Sequence, residues 1–232
     1  TPLSSLRGYL ETLQLKGDAL PREERERYLA VAIKNSERLG ELISEFFELA
    51  KLECREVRPV YAPFSITDLA EQVVQKFELA AQQRGIAVRA HVMSELPPVY
   101  ADSGMIERVL VNLIDNALRF TPAGGGVTVS MSKARDRVSV SVADTGCGIA
   151  PAALPDVLSG RTFALATKTP DSSGLGLTIA KRILALHNSE IGVISAADVG
   201  TLFSFSLAIA DELASVERTP DANECETPVN CG

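Results

Sequence analysis

Asn112, Asn116 and Arg119 stand at i, i+4 and i+7 of a helical pattern and therefore share one face. Two amides and a guanidinium side by side suit a hydrated Mg²⁺ and phosphate oxygens. Amide oxygens ligate the hard cation, and arginine forks onto phosphate. Alone, the stripe reads equally well as a solvated polar helix face. Asp144-Thr145-Gly146-Cys147-Gly148-Ile149 directly follows a β-rich run. A carboxylate at a strand end can accept a hydrogen bond from an exocyclic amine, and alternating glycines let backbone approach a flat ligand closely. Ser172-Ser173-Gly174-Leu175-Gly176-Leu177 opens an apolar-periodic helix, where free N–H groups and the helix dipole favour an anion. Gly200-Thr201-Leu202-Phe203 starts the last β-rich run. Each glycine segment by itself also fits a turn or a helix cap. The order and spacing of all four carry the argument.

The elements that position these residues are legible in the hydrophobic periodicity. Residues 3–16 and 22–53 read as two amphipathic helices, the second with Leu29, Ile33, Ser36, Leu39, Ile43, Phe46 and Ala50 at three- and four-residue steps. Gly17-Asp18 and Leu20-Pro21 break the pattern between them. A lone hairpin cannot bury both apolar stripes, so a second copy is expected, completing a four-helix bundle. Arg58-Pro59 through Pro63 reads as a linker or edge strand. Beyond it α and β signals mix, with helices over 66–84, 103–120 and 175–188. Strands are expected over 86–92, 99–101, 127–132, 138–142, 190–196 and 201–209. Helix 103–120 carries Asn112, and its other face holds Ile106, Val109, Leu110, Leu113 and Ala117, apt to pack on a sheet. The Gly, Pro and Ser-rich stretch 145–173 is too long for a simple connection and so reads as functional. The fold class is α+β, with domains at 1–57 and 58–212 and a polar, disordered tail at 213–232.

Composition narrows the function. A formal net charge of −7 argues against a nucleic-acid partner, which wants a basic face, but leaves room for one local positive pocket. Hydrophobic residues make up 46% of the chain and charged ones 23%, as in ordinary globular domains. Cys54, Cys147, Cys225 and Cys231 form no C-x-x-C pair and read as unpaired thiols. No apolar run of about 18 residues is present, so a membrane anchor is expected only in segments outside this sequence. The abrupt start at Thr1-Pro2-Leu3, without methionine, reads as the beginning of a trimmed fragment.

Together, the four segments resemble the asparagine box and three glycine boxes of the ATP-binding domain shared by histidine kinases, gyrase and MutL. Asn112…Asn116-Ala117 with Phe120-Thr121-Pro122 and Gly124-Gly125 favours the histidine-kinase branch. The helical hairpin resembles that family's dimerisation and histidine-phosphotransfer domain, and Thr1-Pro2-Leu3 is similar to the end of its H box. The resemblance spans about residues 1–209. It implies a helical hairpin followed by a two-layer α/β sandwich that binds ATP with Mg²⁺. Asn112 and Asn116 would hold the metal or phosphate, Arg119 the phosphate, and Phe120 would flank the nucleotide. Asp144 would bind the adenine amine in a pocket shaped by Gly146, Gly148 and Ile149, with Thr201 nearby. Residues 150–173 would form a mobile lid carrying Lys168, with Ser173, Gly174, Leu175, Gly176 and Leu177 against the triphosphate. The partners implied are a second copy of the chain and the receiver domain of a response regulator. The location implied is the cytoplasmic side of an inner-membrane receptor.

Several positions depart from the family pattern. The phosphoacceptor histidine falls four residues before Thr1, so the chain as it stands is expected to bind ATP without phosphorylating itself. His91 in a strand and His187 at a helix end lack the acceptor's context and read as structural. Thr1 matches a threonine that orients water for dephosphorylating the regulator. Arg108 occupies the place where related ATPases carry a basic glutamate, which favours transfer to a side chain over hydrolysis. His187-Asn188-Ser189 replaces the usual His-Gly-Gly. Two other readings compete: a nucleotide-sensing dimeric interaction module without kinase activity, and a serine kinase of the same superfamily. The N-terminal hairpin argues against the second.

Overall fold

The computed structural model describes residues 2–17, 19–54, 56–92, 95–159 and 174–210. The expected lid segment 160–173, with Lys168 and Ser173, the expected tail and Thr1 lie outside them. By internal contacts the chain forms two compact units. One comprises Thr1–Arg58 with Asp156–Arg182, the other Pro59–Pro155 with Ile183–Gly232.

In the first unit, helices α1 (Pro2–Lys16) and α2 (Arg22–Glu53) form the expected hairpin. Pro21 immediately precedes α2, where the missing N–H of a proline costs nothing, and Glu23 and Glu24 complement the helix dipole. Tyr9 of α1 packs against Tyr28 of α2, with ring centroids 5.4 Å apart. The apolar stripe read from the sequence does not face α1. In α2 only Ala32 and Leu52 are buried, whereas Leu29, Ile33, Ile43, Phe46 and Phe47 are exposed. Helix α5 (Leu154–Ser159), the helix-forming start of the expected lid, follows a short 3-10 turn at Pro151–Ala153. Helix α6 (Leu175–Leu186) crosses the boundary between the two groupings, and Arg182 pairs with Glu53 at 3.0 Å.

The second unit is built on a five-stranded sheet in the order β2-β4-β5-β7-β6. The strands are β2 (Ala87–Val92), β4 (Gly126–Ala134), β5 (Arg137–Asp144), β6 (Gly192–Ala196) and β7 (Gly200–Ala208). Only the β2–β4 pair is parallel. Alternation along β4 and β5 buries Val127, Val129, Met131, Val138, Val140 and Val142 on one face. Helices α3 (Ile66–Gln83) and α4 (Ser103–Phe120) pack on that sheet and on each other, forming the second layer. Ser65 and Asp102 cap them, accepting from the amides of Asp68 and Met105. The linker strand is shifted from its expected place: β1 is Ala62–Phe64, paired antiparallel with β3 (Val99–Ala101). Pairing begins where the chain comes beside β3, with Ala62 opposite Ala101. Helix α6 ends at Leu186, two residues early, and β6 starts two residues late. Asn188 takes a left-handed conformation (φ 49°) that stops the helix. No described helix is long and apolar enough to cross a membrane.

Candidate functional site: a carboxylate at the end of the central strand and a buried amide on a helix

Asp144 ends β5, opposite Thr201 at the start of β7. Its Oδ1 accepts the amides of Gly146 at 2.8 Å and Thr201 at 3.2 Å. This sets the plane of the carboxylate and leaves Oδ2 as the oxygen for an outside donor. Burial raises the Asp144 pKa above the ordinary value, more than the two amide bonds lower it.

The glycines after Asp144 serve close packing of the loop. A Cβ on Gly146 would meet the Phe120 carbonyl oxygen at 2.5 Å and Asp144 Oδ1 at 2.8 Å. Gly148 has φ +64°, and a Cβ there would collide with the carbonyl oxygen of Ala196. Gly148→Ala is therefore expected to lower stability by about 2–4 kcal/mol, from overpacking and the left-handed backbone together. Urea denaturation would measure it. Unchanged stability would show that the loop does not need this close approach.

The loop is stitched to its surroundings on two sides. The Cys147 amide donates to the Phe120 carbonyl at 3.3 Å, joining the loop to the C-terminal end of α4. The Ile149 amide donates to Ser195 Oγ at 2.8 Å, and Ser195 Oγ lies 2.9 Å from Thr201 Oγ1. Ser195 is a supporting residue that the sequence reading missed. Its register alongside Thr201 in the β6–β7 pair, a polar side chain in the row that also holds Val193 and Phe203, was the available signal.

Helix α4 carries the amides. Asn112 is only 8% exposed, and among the described residues its Nδ2 has no hydrogen-bond partner. This is not the solvated polar face that was the alternative reading of the stripe. A buried amide end without a partner costs free energy unless something outside the protein satisfies it. Turning the amide by half a rotation presents oxygen at the same place, a suitable ligand for a hard divalent cation. Asn116 is half-buried one turn on, and Arg119 is paired with Asp115 at 2.7 Å. Among the described residues no cluster of three His, Cys, Asp or Glu side chains could hold a metal.

The second unit thus places Phe120, Asp144, Gly146, Gly148, Ile149 and Thr201 around one loop and carries Asn112, Asn116 and Arg119 on the helix that ends at Phe120. Gly174, in the left-handed conformation at φ 70°, precedes α6, and Leu175, Gly176 and Leu177 form its first turn within the other unit. His91 is exposed on β2, while His187 is buried and hydrogen-bonded.

Residues 101–211 match the model of the histidine kinase-, DNA gyrase B- and HSP90-like ATPases, and residues 1–55 match that of the His kinase A (phospho-acceptor) domain. The chain belongs to the sensor histidine kinases. The Drug sensory protein A of Synechocystis sp. is 31% identical over 228 residues, covering 93% of this chain and 34% of that protein. The Acinetobacter baumannii histidine kinase AdeS superimposes with a TM-score of 0.72 at 25% identity, covering 90% of this chain and 96% of that one. Full-length ShkA in complex with AMPPNP gives a TM-score of 0.69 at 29% identity, covering 90% of this chain and 47% of that one. The chain thus spans about a third of the length of the curated relative it matches.

Proposed function

We propose that this chain is the catalytic portion of a two-component sensor kinase that binds Mg²⁺-ATP and phosphorylates a histidine upstream of residue 1. The observation that carries the reading is the pinned carboxylate of Asp144, joined through the Phe120 carbonyl to the helix bearing the unsatisfied Asn112. A flat heterocycle with an exocyclic amine satisfies the first, and a metal-bound triphosphate satisfies the second. The ShkA complex with AMPPNP, an adenine nucleotide, supports the same assignment.

In the reaction, the imidazole nitrogen attacks the γ-phosphorus in line. A P–N bond forms as the bond to the ADP oxygen breaks, and the imidazole N–H proton passes to solvent water. Asp144 selects adenine, while Asn112, Asn116 and Arg119 hold the metal and phosphate end. Lys168, Ser173, Gly174, Leu175, Gly176 and Leu177 belong to the same nucleotide site in this reading. When bound, Mg²⁺ neutralises charge on the phosphate oxygens. The phosphoryl group then passes to an aspartate of a response-regulator receiver domain docked on the helices, and Thr1 orients water when the regulator is dephosphorylated. Exposure of Leu29, Ile33, Ile43, Phe46 and Phe47 supports a homodimeric bundle, since large apolar side chains in a row otherwise stay in water. The kinase sits on the cytoplasmic side as part of an inner-membrane receptor.

The test is to extend the chain upstream through the acceptor and incubate it with labelled ATP and Mg²⁺. An acid-labile, base-stable phosphate is expected. No label with intact nucleotide binding would overturn the kinase reading in favour of a nucleotide-sensing module.

A further inference from the structure

Three oxygens meet at Ser195, and they allow one arrangement of protons. Ser195 Oγ accepts the Ile149 amide at 2.8 Å. The same atom lies 2.9 Å from the Gly200 carbonyl oxygen and 2.9 Å from Thr201 Oγ1. A carbonyl has no proton, so the Ser195 hydroxyl donates to Gly200. That uses its single proton. The contact with Thr201 therefore takes its proton from the Thr201 hydroxyl, which donates to Ser195 Oγ. Ser195 then employs its one donor and both of its acceptor sites. The reverse assignment would leave two bare oxygens 2.9 Å apart.

With its proton held by Ser195, Thr201 has only lone pairs to offer a ligand. It stands directly opposite Asp144 in the β5–β7 register, so both side chains leave the same face of the sheet, with Cβ atoms about 5 Å apart. Asp144 Oδ1 is occupied by the amides of Gly146 and Thr201, which leaves Oδ2. Thr201 is 7% exposed, and among the described residues no donor reaches its hydroxyl oxygen. Two acceptors thus stand side by side. They suit a group that brings two N–H bonds, as an exocyclic amine does, and they oppose a carbonyl oxygen.

We propose that Ser195 is a positioning residue for base selection: by holding the Thr201 hydroxyl proton it fixes Thr201 Oγ1 as an acceptor beside Asp144 Oδ2, so the site takes a nucleobase with an exocyclic amine and rejects one with a carbonyl at that place. The inference rests on the nucleotide reading of the site for its ligand, but not for the direction of the proton. Ser195 acts through Thr201 and not by contact with the base. Without the serine hydroxyl, Thr201 loses its acceptor and can turn its proton toward the ligand, where it donates to a carbonyl. A site whose buried polar groups are fixed to match an N–H rejects an analogue lacking it strongly, because those groups are left unpaired. A hydroxyl free to rotate escapes that penalty.

The experiment titrates the chain with Mg²⁺-ATP and with Mg²⁺-ITP, which carries a carbonyl in place of the amine. The variants are Ser195→Ala, Ser195→Thr, Thr201→Val, and Ser195→Ala combined with Thr201→Val. The parent protein is expected to prefer ATP at least about a hundredfold. Ser195→Ala should cut that preference about tenfold or more. Ser195→Thr keeps the hydroxyl and should retain the preference, and in the Thr201→Val background Ser195→Ala should change it no further. A proportional loss of both affinities in Ser195→Ala, with the preference intact, would overturn the inference, because general loosening of the loop produces that. So would a drop of the same size in the Thr201→Val background. Proton NMR reads the hydroxyl directly. The parent should show a slowly exchanging Thr201 hydroxyl proton close to the Ser195 β protons, and its absence overturns the inference whatever the variants do. A parent that binds ATP and ITP equally, or neither, would sink the adenine reading of Asp144 separately, and the NMR result would then decide the direction of the proton.

Discussion

Asp144→Asn is expected to weaken ATP binding about ten- to a hundredfold, the loss associated with a hydrogen bond to a charged group, while the domain stays folded. The asparagine oxygen can keep the Oδ1 bonds from the Gly146 and Thr201 amides. Its N–H₂ then replaces Oδ2, so a donor faces the donor of the exocyclic amine. Stability should hold or rise at neutral pH. A carboxyl whose folded pKa is raised contributes most below its unfolded pKa, and that contribution disappears as pH rises through the folded value. Removing the desolvated charge therefore removes a penalty at neutral pH. The same shift predicts a pH signature: affinity of the parent protein falls on acidification at a higher pH than an ordinary aspartate would allow, and that decline is absent in the variant. Calorimetric titration across pH measures both effects, and equal affinities at neutral pH would sink the adenine assignment.

Asn112→Leu should separate stability from function in the opposite sense to most core substitutions. Leucine has the same branching and no polar atoms, so it removes a buried amide end that lacks a partner among the described residues. Replacing such a group by an apolar one is neutral or stabilising. The melting temperature should therefore be unchanged or higher. The part of ATP affinity that depends on Mg²⁺ should fall at least about tenfold, by analogy with the loss of groups that only support a metal ligand. Titrations with and without Mg²⁺ make the comparison. If the difference between them survives in the variant, Asn112 does not serve the metal.

These expectations rest on parts of the molecule that differ in how readable they were. Helix α4 was legible to the residue, because Asp102 caps it and its apolar positions recur at helical spacing up to Phe120. β3 was equally plain, a three-residue strand directly after Pro97-Pro98. The apolar stripe of α2 was read as apolar and as calling for a second copy of the chain, and within one copy α1 covers a different face. β1 was displaced because its pairing depends on β3, some 35 residues away, and local propensity carries no record of that.

What the sequence by itself determined is the chemistry: amides, carboxylate and glycines, in an order that local periodicity places on a helix face, a strand end and two turns. Only the tertiary structure decided which atoms remain for a ligand. Whether Asn112 is solvated or buried without a partner depends on the elements packed over it, and which Asp144 oxygen is spoken for depends on Thr201, a neighbour in the sheet but 57 positions away in the chain. Ser195 acquires its role in the same way. It is a common polar residue whose meaning comes from hydrogen bonds between distant segments, and those form only when the whole domain has closed.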